Sequence, residues 1–483
     1  MVHLVRDGIG WLLGYRGVPL SSRLIFRFEL WHIMAWSIGA GMMNPRFAAL
    51  VATKSLNASD AIVAAIGASV AFANLLAVFW GGWTRHRSKK LMLMVPASMA
   101  AVVIASIWFT PSLPKPALVF CIQIVLCYMC FSAVTTTRAA IWRVNYPRAH
   151  RAQVAARFTI WSMSLAIVVV FLAASYLDGV VAIGPPQDRW LSLGLSWLPR
   201  AGTPAAYGAV YPLAMLFMLL AAWLFRRVPI RDERDQPALT GIPTFPASFE
   251  ALVGITGDLV DRSVQPLKAA WGVLRDNAAF RNYMFWQFVS GSATMMVEIP
   301  LVFILAERFE VNYLLGGTAL VFVPLAAALL VMPYWARRFD RTNVLRFRSR
   351  QMSVWVVSRG LLALGVAIRS VPIVLMAVGL AGVGGGGGRL AWMLGHMQFA
   401  RRRDDALYMG IHVSLTGLRG CIMPFVGVWL YRHVVDWHLI WLTGVVHLVT
   451  VFAFWQMGRT WERGGPAPKP LPVPVGRRAF PGR

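Results

Sequence analysis

Apolar runs long enough to cross a bilayer recur along this chain, and that recurrence constrains its fold more than any other feature. A spanning helix needs about 20 mostly apolar residues, and such runs lie at 28–52, 61–83, 91–109, 116–142, 158–177 and 207–225. A second set follows at 283–306, 314–335, 352–368, 371–400, 406–431 and 437–456. By length alone, 483 residues would suggest several soluble domains, but 58% hydrophobic and 14% charged residues with a mean hydropathy of +0.59 exclude that reading.

The formal net charge of +27 carries orientation rather than a nucleic-acid partner, because the basic residues collect between the runs on alternate sides. Arg85, Arg87, Lys89 and Lys90; Arg143, Arg148, Arg151 and Arg157; Arg337 through Arg350; and Arg401, Arg402 and Arg403 fall on one side. The opposite loops hold little more than Lys54, Lys115, Arg369 and a mixed set around Glu307, Arg308 and Glu310. With the basic side in the cytoplasm, both termini are cytoplasmic, as expected for a multi-pass protein of a bacterial inner (plasma) membrane. Residues 1–27 mix apolar and arginine positions and read as an amphipathic segment on the cytoplasmic face; a solvated tail fits the same composition. The layout then reads as a bundle at 28–225, a charged and proline-bearing linker at 226–282, a bundle at 283–456, and a disordered basic Pro-rich tail at 457–483.

The halves repeat. At an offset of about 250 residues, Gly39 falls on Gly291, Met43 on Met295, Arg85 on Arg337 and Arg151 on Arg403, while Arg138 lands within a residue of Arg389. Arg46 falls on Glu298 under the same shift, with Pro45 and Pro300 close by. The basic turns between the second and third runs of each half contain Gly81, Arg85, Lys89 and Lys90 in the first copy and Arg337, Arg338, Asp340 and Arg341 in the second.

Those two turns resemble the cytoplasmic loop motif of the major facilitator superfamily, G-x-x-x-D-R-x-G-R-R. Gly81 and Lys89-Lys90 fit the first copy, with Arg85 and Ser88 at the Asp and second Gly places. Arg338 and Arg341 fit the second, with Pro333, Arg337 and Asp340 at the first Gly, Asp and second Gly places. The resemblance implies an all-α membrane protein of about 12 transmembrane helices in two pseudo-symmetric six-helix bundles, working as a secondary transporter by alternating access. It also implies that the two turns act as gating loops, and that the first helix of each half lines a central cavity.

Charges inside the runs are the candidate site. A charge at the bilayer centre costs about 2.5 to 3.5 kcal/mol even on lenient scales, so such residues face a cavity or a partner. Glu298 is expected to carry a coupling proton, and Arg46 to hold an anionic substrate group or to release Glu298 when substrate arrives; a purely structural ion pair between bundles accounts for the same residues. Arg419, Arg389 and Arg359 join them as candidate substrate-binding cations, whereas Arg138 is expected to snorkel to the interface. The run Gly384 to Gly388 permits close helix packing or bending of the tenth helix. His412 and His447 fit a relay or a packing role. Cys127-x-x-Cys130 lies inside an apolar run, where cysteine acts as a small hydrophobe.

No G-x-x-x-x-G-K-[ST], no G-x-S-x-G and no metal-ligand spacing occurs, so neither an enzyme nor a bound cofactor or metal is expected. The expected partners are a small organic solute, anionic or amphipathic given the excess of buried arginine, the lipid bilayer, and protons as coupling ion. A second reading keeps the fold without transport, as a membrane-embedded sensor or assembly scaffold, and is motivated by Arg85, Ser88, Arg337 and Asp340 in the altered turns.

Overall fold

In the computed structural model, residues 18–75, 80, 88–180, 201–203, 206–231, 270–400 and 405–463 are described. The first half forms α1 (Arg23–Met42), α2 (Pro45–Leu56), α3 (Asp60–Leu75), α4 (Lys89–Ser106), α5 (Pro116–Asn145), α6 (Arg148–Leu177) and α7 (Tyr207–Phe225). The second forms α8 (Ala278–Phe303), α9 (Tyr313–Gly317), α10 (Val323–Asp340), α11 (Val344–Ala367), α12 (Val371–Leu394), α13 (Asp405–Leu430) and α14 (Leu439–Glu462).

Eight of these stretches are long and apolar enough to cross a bilayer, the last of them, Tyr408–Glu462, holding both α13 and α14. The remaining crossings are α11, which is interrupted by arginines, the shorter apolar helix α3, and the first run, which does not form one helix. The run at 28–52, expected to be continuous, breaks at Met43. Asn44 ends it because its side-chain oxygen caps a new helix, accepting from the backbone N–H of Arg46 at 3.1 Å and of Phe47 at 3.4 Å, with Pro45 at the first helical position. Likewise α9 and α10 are one crossing joined through a π-helical turn at Thr318–Phe322. Helix ends also extend past the apolar runs: α1 starts at Arg23, inside the segment expected to lie on the membrane face, and α14 continues to Glu462, inside the expected tail.

Two six-crossing bundles result, and their internal packing is the same. The first crossing of each half packs on the fifth and sixth of its own half, the third packs on the fourth and sixth, and the second packs on the fourth. Between the bundles α3 lies along α13 and α6 along α9 and α10, again a symmetric pair of contacts. Outward faces carry exposed apolar side chains such as Val102, Leu126, Leu216, Leu330, Val445 and Phe452, as a lipid-facing surface requires. Inside the second bundle members of the glycine run serve close packing: a Cβ on Gly384 would lie 2.8 Å from Trp355 Cδ1, and one on Gly387 2.9 Å from Trp335 Cδ2. Gly385, by contrast, has open space beside it.

We call the end of the bundles near Arg23, Ala278 and Glu462 the basic end, and the other the far end. Far-end contacts hold the halves together. Arg432 donates to both oxygens of Asp60 at 2.9 and 3.0 Å and to both of Glu307 at 2.6 and 2.7 Å. Lys54 donates to the Val311 carbonyl at 2.5 Å, Ser55 meets the Tyr313 hydroxyl at 2.6 Å, and Asp178 accepts from the backbone N–H groups of Tyr313 and Leu314 at 2.8 and 2.6 Å.

Candidate functional site

Between the bundles lies a cavity of about 210 Å³ lined by Arg46, Glu298, Arg359 and Arg389 together with apolar side chains such as Leu320 and Leu362. It shares Thr294, Glu298, Trp355, Gly385 and Arg389 with a wider space of about 470 Å³ lined by Arg348, Gln351, Trp392 and Arg419. Arg348 lies in the first turns of α11 and Trp392 in the last turn of α12, so the space widens toward the basic end. A volume of this order suits a small organic ligand.

Each charged group is placed by local structure. The break at Asn44 puts Arg46 in the first turn of α2, from which its guanidinium crosses to the other bundle. It donates through Nη2 to Glu298 Oε1 at 2.5 Å and through Nη1 to the Leu320 carbonyl at 3.5 Å. Both side chains remain about a third exposed, 37% and 33%, so the pair faces the cavity rather than the packed interior. Arg359 on α11 is buried, with its guanidinium 5.1 Å from the Trp355 ring. Arg389 follows the glycine run on α12 and reaches across the interface to Met163 Sδ of α6 at 2.8 Å, a weak acceptor for a guanidinium. Arg419 on α13 donates to the Gln287 carbonyl at 2.6 Å and lies over Gly291, where any Cβ would be 2.1 Å from its Cζ.

The five site residues named from the sequence therefore line one connected space. Among the described residues, those named for the gating loops do not line it. Lys89 and Lys90 open α4 at the basic end, Arg337, Arg338 and Arg341 are exposed there, and Asp340 ends α10. Gly81 and Arg85 lie outside the described residues.

Three features escaped the sequence reading. Arg348, grouped with the basic loop 337–350, is buried within the second bundle, where it donates to Gln351 Oε1 at 2.7 Å and to Ser290 Oγ at 3.3 Å. The reason is that Asn343 caps α11 through the N–H of Arg346, so the helix starts well before the apolar run at 352. Glu29 on α1 is fully buried and accepts from Tyr146 at 2.6 Å and from the indole of Trp142. Its only sequence signal is an acid at the edge of an apolar run. Arg138, expected to snorkel outward, instead points into the first bundle. It lies 5.2 Å from the Trp36 ring and 3.0 Å from Nε2 of His32, whose Nδ1 donates to the Ala221 carbonyl at 2.8 Å. Of the other histidines, His447 is stacked on Trp355 with Nε2 3.2 Å from Thr294, and His412 sits edge-on to Trp392.

A family profile described as Major Facilitator Superfamily matches residues 31–349. Among solved structures, a POT family transporter in complex with 5-aminolevulinic acid superposes with a TM-score of 0.62 at 14% identity, over 92% of this chain and 99% of that one. The nucleoside transporter NupG superposes at 0.59 with 12% identity, over 90% and 99% of the two chains. The xylose transporter XylE from E. coli, in an inward open conformation, superposes at 0.59 with 13% identity, over 88% and 95%. At these identities the likeness is one of fold. No curated protein matches the sequence.

Proposed function

This chain belongs to the Major Facilitator Superfamily, and from that premise we propose that it is a secondary transporter of a small organic anion, driven by protons through Glu298. The observation that carries the proposal is the charge of the cavity: Arg46, Arg348, Arg359, Arg389 and Arg419 line it, with Glu298 as the one acid among the described lining residues. A cavity of that composition attracts anions and disfavours cations. The similar structures of a nucleoside transporter, a D-xylose-proton symporter and a peptide transporter support the general class.

In this reading Arg46 and Glu298 form an exchangeable tie between the bundles. While Glu298 is ionised, Arg46 is held to it across the interface. An arriving anion competes for Arg46, and a proton on Glu298 removes its half of the attraction, so either event loosens the tie. Completing a cycle then requires the far-end contacts of Arg432, Lys54 and Asp178 to open as the basic end closes. We place the basic end in the cytoplasm, which makes the present arrangement open inward.

The test uses the purified full chain, screened by thermal stability against organic anions, sugars, amino acids and organic cations, since a ligand of the folded state raises stability by mass action. Hits are then followed by uptake into proteoliposomes with and without a proton gradient. The expected result is an anion hit whose uptake follows the gradient in the parent chain and no longer does so in Glu298→Gln. Intact pH-dependent uptake in Glu298→Gln sinks the coupling role; undiminished affinity after neutralising both Arg46 and Arg419 sinks the anion reading.

A further inference from the structure

Arg348 and Arg419 come from different helices and yet converge on one turn of α8. Arg348 Nη2 donates to Ser290 Oγ at 3.3 Å, Arg419 Nη1 donates to the carbonyl of Gln287 at 2.6 Å, and Gly291 supplies the space beneath the Arg419 guanidinium. Both residues are more than nine-tenths buried, at 4% and 6% exposure, both line the wider part of the cavity, and the buried Nε of each has no hydrogen-bond partner among the described residues. Arg419 lies in the field of Arg348, and Glu298, the acid whose field also reaches Arg419, is already bonded to Arg46.

Two like charges held together away from water are unfavourable unless a counter-charge sits between them. Their known partners here, a carbonyl, a hydroxyl and an amide, are neutral. Packing alone does not call for two arginines on this turn, because each helix could present an apolar side chain to it.

We infer that Arg348 and Arg419 form a subsite for a doubly charged anionic head group, with the body of the ligand lying between Trp355 and Trp392 toward Arg46. The guanidinium fork suits both the oxygens of a phosphate monoester, which carries about −1.5 to −2 charges at neutral pH, and a pair of adjacent carboxylates. Their shared chemistry is the double charge on clustered oxygens. Trp355, Trp392, Met295 and Met393 line the same space and offer aromatic and thioether surface to an apolar body. This inference deepens the proposed carrier reading and rests on it for the role of the ligand, though not for its binding.

The experiment measures thermal stabilisation of the purified full chain at one pH and constant ionic strength by four probes sharing a phenyl ring: phenyl phosphate, phthalate, phenyl sulfate and benzoate. At least one of the dianions, phenyl phosphate and phthalate, is expected to act at concentrations about tenfold or more below those of the monoanions. Phenyl phosphate alone would assign a phosphate ester, and phthalate alone a dicarboxylate. Arg348→Lys and Arg419→Lys keep the charge but lose the fork, and are expected to abolish the preference for dianions while benzoate binding changes little. A merely structural role would lower the melting temperature of both variants and leave the dianion preference unchanged, which would overturn the inference. So would equal stabilisation by all four probes, or by chloride alone. Dianion-selective binding without any uptake would support the subsite and overturn the carrier; uptake of a dianion with unaltered affinity in both lysine variants would do the reverse.

Discussion

The two bundles share a packing plan and treat buried charge in opposite ways. In the first, the acid Glu29 accepts hydrogen bonds from Tyr146 and Trp142 and lies within the field of Arg138, which is bonded to His32 and stacked on Trp36. That cluster pairs its arginine with an acid of its own, although the Nε of Arg138 has no hydrogen-bond partner among the described residues. In the second, Arg348, Arg359 and Arg419 are buried with no acid bonded to them among the described residues, and the acid nearest in role, Glu298, is shared with Arg46 of the opposite bundle. One frame thus holds a cluster whose arginine has an acid in its own bundle and another whose arginines do not, and the proposed ligand is assigned to the second.

Four substitutions test that contrast. The largest effect is expected from Glu29→Ala, which leaves the Tyr146 and Trp142 donors without their acceptor and Arg138 without its nearby acid, and should cost about 3 to 5 kcal/mol of stability, read as a lower melting temperature in detergent. An unchanged melting temperature would mean that the first bundle does not depend on its own acid. Next, Arg359→Met replaces an uncompensated charge by an apolar side chain of similar length; it is expected to leave stability unchanged or raise it by about 1 kcal/mol, while reducing uptake. If it destabilised as much as Glu29→Ala, the two bundles would not differ.

Smaller still is Arg432→Ala, which removes the bridge from the second bundle to Asp60 of the first. The pairs are partly exposed, so about 1 kcal/mol is at stake, enough to shift the balance toward an open far end. A cysteine placed at Ser55 should then react faster with a membrane-impermeant maleimide than in the parent, and an equal rate would remove Arg432 from the latch. The smallest effect belongs to Arg346→Ala. Its bond to Glu462 is exposed and lies within one bundle, so melting temperature and uptake should both stay at parental values.

How much of this was legible follows from the kind of information each feature needs. The run at 207–225 reads as a helix from apolarity alone, and α7 spans those same residues, because lipid demands a continuous hydrogen-bonded apolar helix there. The break at Asn44-Pro45 was written in capping chemistry but masked by the apolar residues on both sides. Arg348 was hidden for the opposite reason: its neighbours Arg346 and Arg350 are basic too, and only the start of α11 separates a buried arginine from loop cations. Glu29 gave almost no signal, since one acid at the end of a run does not reveal whether two donors on a distant helix await it.

Order along the chain was enough for the membrane class, the number of crossings, the duplication and the alignment of Arg46 with Glu298 under one offset, because hydropathy and repeat length are properties of that order. Only the tertiary structure decided that Arg46 reaches Glu298, that Arg348 and Arg419 meet on one turn of α8, and that Glu29 is enclosed by Tyr146 and Trp142. Those facts depend on how helices far apart in sequence rotate and cross, and a buried charge takes its meaning from what faces it in space rather than from what precedes it in the chain.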